Sequence, residues 1–542
     1  MKKNIFIHRG ELALVFIVMS LFTSCSNDLF DKQPLDQASD GTFWKTASDA
    51  KLALTGCYYT YGGGWAGENF WTPRALLYLD LMAGDGSEKE GIPDKVTDGT
   101  LYSGYWVTSS YWTHSYEKIT RCNNFLDHID AIDMDESLKS VYKAEVRTLR
   151  AYEYFNLALY FGGVPLVTKV LSLEDANSVS RNTKEEVWSF CEKELKESAV
   201  VLPNTRSGGE LGRMTSGAAL ALLGRLQMAE KKWAEAEASY KSIMDQGVYE
   251  IDSRFNELFT EQGEDSKEFV MRSDYVQDDY GHVMLQYLYP ETWGGWHQFS
   301  PYNELVKDFE CTDGKTIEES PLYNENSPYE NRDPRLEYTL LINGRSSFKG
   351  TLFVSTPGSS SVDRLNKYSQ WSGYGIRKFM DESFSGNLMN YGGDFPMIRY
   401  AEVLLGYIES KLEAGETITQ TDLDKSINLV RGRACVNMPK VTETNANSLR
   451  KIVRRERHVE LAFEGERYFD ILRWGIAAET LNHQFTGMKL TTDPKNYNDY
   501  KVDDDGYYLT QKRNFIKGVN ELWPIPLSEI QINSNLEQNP GY

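Results

Sequence analysis

Apolar positions along this chain recur every three or four residues in separate blocks, and each block predicts an amphipathic helix. The first runs from about Ser48 to Tyr59 and is broken by Gly62-Gly63-Gly64. A stretch rich in Gly, Trp and Tyr follows, expected to be mostly loop with short helices, and the helical pattern resumes at Tyr111. Tyr152, Phe155 and Leu159 share one face of a helix that Gly162-Gly163 and Pro165 end. Thr183 to Val200 reads as a helix with a capping box, Thr183 at its start and Glu186 three residues on. Ala219, Leu222, Leu223 and Leu226 line the next helix, and Trp233, Ala236, Tyr240 and Ile243 the one after. Far downstream come two more stripes: Ile398, Ala401, Leu405, Ile408 and Leu412, then Leu423, Ile427, Val430 and Ala434. In Leu449 to Gly475, Ile452, Val459 and Phe463 fall on one face. From about residue 249 to 396 the period is lost among Gly, Ser, Asn, Asp and aromatics, which predicts loops and short strands. Irregular chain of that length on a rigid scaffold is where binding residues concentrate.

The helical blocks come in pairs. Leu223-Gly224 followed by Ala236 and Tyr240 has the spacing of a tetratricopeptide helix pair. Small Gly and Ala let two antiparallel helices approach, and the large residues fill the groove between them. The downstream stripes form a second pair, and residues 449–475, broken at Gly465, a third. The expected fold is mostly α: helix pairs forming a scaffold, a large irregular half, and few short strands.

Charge and termini narrow the class. The formal charge of −21 and the lack of a Lys/Arg stripe disfavour a nucleic-acid partner. Lys2, Lys3 and Arg9 precede an apolar run, Leu12 to Phe22, that is too short to span a bilayer. Small residues then lead to Cys25, so residues 1–24 read as a lipoprotein signal peptide and Cys25 as the lipidated first residue of the mature chain. Residues 25–42 read as a polar tether and 43–542 as one domain that carries the insertion. The other cysteines, Cys57, Cys122, Cys191, Cys311 and Cys435, are odd in number and widely spaced, which argues against a disulfide framework or a zinc site.

Candidate chemistry is sparse. Leu449 to Gly475 stacks Glu456, Glu460 and Glu464 beside His458, which invites an acid/base reading. Buried charge networks are more often structural, and Arg455, Arg457, Arg467 and Arg473 are the expected partners of these carboxylates. Asp503-Asp504-Asp505-Gly506 lacks the alternate acid spacing and closing Glu of an EF-hand loop and reads as a solvated turn. There is no HExxH, GxSxG or P-loop motif, and the seven histidines are scattered, so neither cofactor nor metal is expected.

Several ordered motifs carry a family resemblance. They are the Cys25 site, Ala144-Glu-Val-Arg147-x-Leu149-Arg150-Ala151-x-x-Tyr154, and Gly162-Gly163-Val164-Pro165-Leu166. Phe395-Pro-x-x-Arg399-Tyr400-Ala-Glu402 and Arg455-Glu456-Arg457-x-x-Glu460-Leu-Ala-Phe463-Glu464-Gly465-x-Arg467 follow, then Leu522-Trp523-Pro524-Ile525-Pro526 and Asn539-Pro540-Gly541-Tyr542. With these the mature chain resembles the SusD/RagB family of outer-membrane nutrient-binding lipoproteins. The resemblance implies a right-handed scaffold of four tetratricopeptide-like helix pairs under an irregular, ligand-facing half. It also implies non-catalytic glycan capture at the cell surface, as a lid on a TonB-dependent SusC-like transporter. Peptide capture by the same architecture, a glycosidase using two carboxylates, and a tetratricopeptide adaptor are the alternatives.

Sugars present apolar C–H faces and polar edges, so a glycan site needs aromatic platforms with polar groups at the rim. Of the 12 tryptophans, Trp188, Trp233 and Trp474 lie on helical stripes, and Trp44 and Trp523 are also expected to be structural. Trp112 is expected to begin a helix. Trp65, Trp71, Trp106, Trp293, Trp296 and Trp371 lie in Gly-rich or polar segments. Gly294-Gly295 removes the cover around Trp293 and Trp296. Trp106 and Asp85 best match the stacking tryptophan and acidic acceptor that the resemblance implies for the N-terminal part. Trp371 with Tyr374 and Arg377 forms a third aromatic loop. His297 beside Trp296 is expected to be a surface imidazole.

Overall fold

A computed structural model describes residues 43–59, 68–366, 371–490 and 499–542; the signal peptide, Cys25 and Trp65 lie outside these described residues. Helix α1 (Ala47–Tyr58) opens on a capping box between Thr46 and Asp49. Helix α2 (Pro73–Met82) occupies a region expected to be mostly loop; Pro73 suits its first turn and every residue after Arg74 is buried. Helix α3 (Trp106–His128) begins five residues before Tyr111, so Trp112 sits inside it, buried, rather than at its start. Helix α4 (Glu136–Phe161) starts on an Asp135 cap and stops at Gly162, whose φ of 75° a residue with a side chain resists. Helix α5 (Lys184–Val201) carries the expected Thr183–Glu186 capping box. Then follow α6 (Ser216–Ala229), α7 (Trp233–Gln246), α8 (Tyr400–Glu413), α9 (Ala446–Leu461) and α10 (Arg467–Arg473).

From α3 to α9 each helix packs on the next, the nearest-neighbour order of a repeat scaffold. The insertion leaves the array after α7 and returns before α8, yet α7 packs on α8 as if the two were consecutive. Tyr240 shows how. A Cβ on Gly224 of α6 or Gly406 of α8 would stand 2.7 or 2.6 Å from the Tyr240 ring, so the tyrosine of α7 is clamped between two glycines. The second helix pair departs from expectation. Ile398 lies in a strand, and Leu423–Ala434 yields two short helices, Gln420–Asp424 and Ile427–Arg431, interrupted at Ser426. The Ser426 hydroxyl donates to the carbonyl of Asp422, the kind of local side-chain bond that competes with a continuous helix.

The strands are short, as the sequence predicts: β1 (Gly86–Glu88), β2 (Phe269–Ser273), β3 (Phe299–Pro301), β4 (Leu340–Leu341), β5 (Ser347–Phe348), β6 (Thr351–Leu352), β7 (Gly375–Ile376), β8 (Phe395–Arg399), β9 (Gln484–Lys489) and β10 (Tyr507–Lys512). Among the described residues they form five antiparallel ribbons, β1–β3, β2–β8, β4–β7, β5–β6 and β9–β10. One hydrophobic core extends from Ala50 to Ile525 through scaffold and insertion alike.

The stacked carboxylates of α9 join the two halves. Glu456 accepts from Arg335 at 2.6 Å and Arg431 at 2.7 Å. Glu460 lies 2.9 Å from Arg335, 3.0 Å from Arg399 and 2.9 Å from Arg433. Glu464 meets Arg399 and Lys378, each at 2.6 Å. Burial pushes the Glu460 carboxyl up, but Arg433, Arg399 and Arg335 more than offset this and hold it at about 2. These cations come from the insertion and the segments that close it. The expected partners pair elsewhere: Arg455 with Glu310, and Arg457 and Arg473 with Asp470. Arg455 and Arg457 flank Glu456 in sequence, and neighbours one residue apart project from different sides of a helix.

Candidate functional site

The β1–β3 ribbon brings the N-terminal part of the chain against the insertion. Its register sets Gly86 opposite Pro301, Ser87 opposite Ser300 and Glu88 opposite Phe299, and Lys89 N–H extends the ladder to the Gln298 carbonyl at 2.8 Å. On the other side, residues 296–298 run along 286–289: Trp296 N–H donates to Gln286, His297 to Tyr289 and Gln298 to Tyr287. The turn between these segments needs both its glycines. Gly294 has a φ of 85°, and a Cβ on Gly295 would stand 2.0 Å from the carbonyl oxygen of Tyr289.

A cleft of about 790 Å³ opens along this seam, within the usual range of ligand sites. Trp106, at the first turn of α3, and Trp296 are two of its walls. Trp106 is 46% exposed, unusual for the largest side chain. Tyr105, next to it, is held by its hydroxyl, which donates to the Ile92 carbonyl at 2.6 Å. Trp296 meets Tyr287 edge to face, with ring centroids 5.2 Å apart. Tyr78 and Tyr287 complete the aromatic lining, with the Arg74 guanidinium over both rings. Arg74 donates to the Tyr287 hydroxyl at 2.8 Å and pairs with buried Glu68 at 2.5 Å.

Glu88, Lys89, Glu90, Glu291 and Gln298 supply the polar edge. Lys89 pairs with Glu291 across the cleft at 3.1 Å, both about two-fifths exposed. Glu88 is buried and accepts from the N–H groups of Glu90 and Ile92. Burial outweighs these two bonds and pushes its carboxyl up to about 7.

Of the residues singled out in the sequence, Trp106 and Trp296 meet in this cleft and the other described ones do not. Asp85 is 2% exposed and accepts from His458 Nε2 at 2.7 Å. Trp71 is buried; its indole N–H donates to Glu153 at 2.5 Å and Lys118 covers its ring. Trp293 turns inward onto Phe348 and Phe353. Trp371 is buried 4.2 Å from His297, behind Lys89, whose ammonium sits over the ring. His297 is itself buried against Asp363, not on the surface. Tyr374 is buried, its hydroxyl shared between Tyr329 and Asn303. Arg377 pairs with Glu382 outside the cleft. Around Trp293, Trp371 and Tyr374 the aromatic-rich insertion closes on its own rings, because burying them stabilises it. Sequence reasoning missed Arg74, Tyr78, Glu88 and Tyr287. The available signal for Glu88 and Tyr287 was their position beside the two glycine turns, at Ser87-Glu88-Lys89-Glu90 and at Tyr287-Leu288-Tyr289-Pro290; Arg74 and Tyr78, on α2, carried none.

Asp503 folds its carboxylate back onto the N–H groups of Asp505 and Tyr507, the geometry of a tight turn. Among the described residues no group of His, Cys, Asp or Glu is placed to hold a metal ion, and no helix is long and apolar enough to cross a membrane.

A helix-pair scaffold presenting an aromatic cleft from an irregular half defines a class of binding protein. The chain belongs to the SusD family, whose profile matches residues 252–542; a second profile, described as starch-binding associating with outer membrane, matches residues 87–228. A solved SusD-like carbohydrate binding protein from Bacteroides fragilis is 36% identical, superposes with a TM-score of 0.87, and is covered fully by 92% of this chain. A second SusD-like protein from that species is 25% identical with a TM-score of 0.76, over 94% of this chain and all of its own. The starch-binding protein SusD of Bacteroides thetaiotaomicron is 24% identical, over 98% of each chain.

Proposed function

We propose that this chain is a non-catalytic glycan-capture lipoprotein, anchored to the outer membrane through Cys25 and exposed at the cell surface. It binds oligosaccharide in the cleft between β1 and the 294–298 turn and hands it to a TonB-dependent SusC-like transporter. The observation that carries this reading is the pair Trp106 and Trp296 in one open cleft with a polar edge of Glu88, Lys89, Glu90 and Gln298. Flat rings suit the apolar faces of pyranoses, and carboxylates and amides suit their hydroxyls. The names of the relatives, starch-binding and carbohydrate binding, agree with it. The stacked glutamates of α9 are saturated by arginine and lie outside the cleft, so they favour no hydrolytic role.

Calorimetric titration of the purified protein against neutral and charged oligosaccharides and a peptide panel tests the reading. Saturable glycan binding without product formation is expected. Peptide binding alone, or hydrolysis of a bound glycan, contradicts it. Co-purification of the lipidated protein with a large outer-membrane β-barrel tests the transporter partnership.

A further inference from the structure

We infer that the cleft is built for neutral glycans and discriminates against polyanionic ones such as uronate-rich or sulfated chains. This rests on the glycan reading above and concerns the charges that line the cleft. Recognition of a carboxylate or sulfate calls for a cation with unused donors, above all an arginine fork. Both cations of this cleft are already engaged by groups of the protein itself. Arg74 has one amino group on the buried carboxylate of Glu68 and the other on the Tyr287 hydroxyl, and its guanidinium lies over the Tyr78 and Tyr287 rings. Lys89 is shared between Glu291 and the face of Trp371.

The carboxylates, by contrast, exceed the cations. Of the lining charges, Glu88, Glu90 and Glu291 outnumber Arg74 and Lys89, and Glu88 and Glu90 form no ion pair among the described residues. Glu90 is exposed at the rim, where an approaching anion meets it first. Glu88 is pushed up to about 7 by burial, so near neutral pH it is half protonated and can donate to a hydroxyl as well as accept from one. A hydroxyl-rich neutral sugar can use both states, whereas the ionised state repels a polyanion. The chain's charge of −21 adds a long-range field of the same sign.

The test is a titration of the intact soluble domain with neutral gluco-, xylo- and manno-oligosaccharides and with oligogalacturonates and sulfated oligosaccharides of matched length. The expected result is binding of a neutral series, with affinity nearly independent of salt between about 50 and 500 mM, and anionic series weaker by about ten-fold or more. The charge-reversing variant Glu90→Lys, with its melting temperature as the control for folding, should narrow that gap by strengthening anionic binding. An anionic glycan bound as tightly as any neutral one overturns the inference and leaves glycan capture standing. So does a Glu90→Lys variant that folds normally and leaves the gap unchanged. Binding of neither series contradicts glycan capture itself, and the inference with it.

Discussion

Trp106 and Trp296 line the cleft, whereas Trp71 and Trp371 are packed inside the protein. Trp371 has His297 on it and Lys89 over it, and Trp71 is hydrogen-bonded to Glu153 and covered by Lys118, so neither ring is available to a sugar. Replacing Trp106 or Trp296 by alanine should weaken oligosaccharide binding by about 1 kcal/mol each, roughly five- to ten-fold, with little change in melting temperature. Trp371→Ala should do the reverse, lowering stability by about 3–5 kcal/mol as buried aromatic truncations do; denaturant titration alongside calorimetry separates the two classes. His458 gives a pH signature. Burial and Arg467 pull its pKa down, but Asp85 on one ring nitrogen and Asp308 on the other raise it to about 9 from 6.5. Because the folded value lies above the unfolded one, its stabilisation is complete below about pH 6.5 and is lost as the pH rises through 9. Unfolding free energy measured across that window should fall by up to about 3 kcal/mol, and His458→Gln should flatten the fall.

The helix array was legible in the sequence because its signals are local. Thr183 with Glu186 announces α5, and Gly162 announces the end of α4. Leu223-Gly224 with Tyr240 announces a close pair, and the glycine indeed leaves room for the ring. The same packing predicts that Gly406→Ala, which thrusts a methyl group into Tyr240, costs about 1–3 kcal/mol in stability while sparing ligand affinity. What was not legible depends on contacts distant in sequence. The nature of the α9 glutamates as a structural ion ridge could be read from their stacking. Their partners Arg335, Lys378, Arg399, Arg431 and Arg433 could not, because they arrive from up to 125 residues away. The cleft is similar. Two of its tryptophans stood out by composition, whereas Arg74, Tyr78 and Glu88 become lining residues only once β1 pairs with β3.

The arrangement assigns separate work to its two halves. The helices supply a stiff array, the insertion and the N-terminal segments around β1 share the cleft, and the glutamate ridge of α9 fastens the insertion to the array. Breaking that ridge should therefore loosen the whole protein. Glu460→Gln leaves Arg335, Arg399 and Arg433 facing one carboxylate fewer in a buried site and should cost about 3–5 kcal/mol in denaturant unfolding, with glycan affinity retained by whatever fraction stays folded. A fully stable Glu460→Gln that had lost only binding would mean that the ridge serves the ligand rather than the fold. The cleft itself is best tried with the double variant Trp106→Ala/Trp296→Ala, titrated calorimetrically against the oligosaccharide that the wild-type protein binds best. Affinity lower by roughly 30-fold at an unchanged melting temperature is the outcome expected if these two rings form the glycan platform. Unchanged affinity in a folded double variant would contradict it and place the site elsewhere on the molecule.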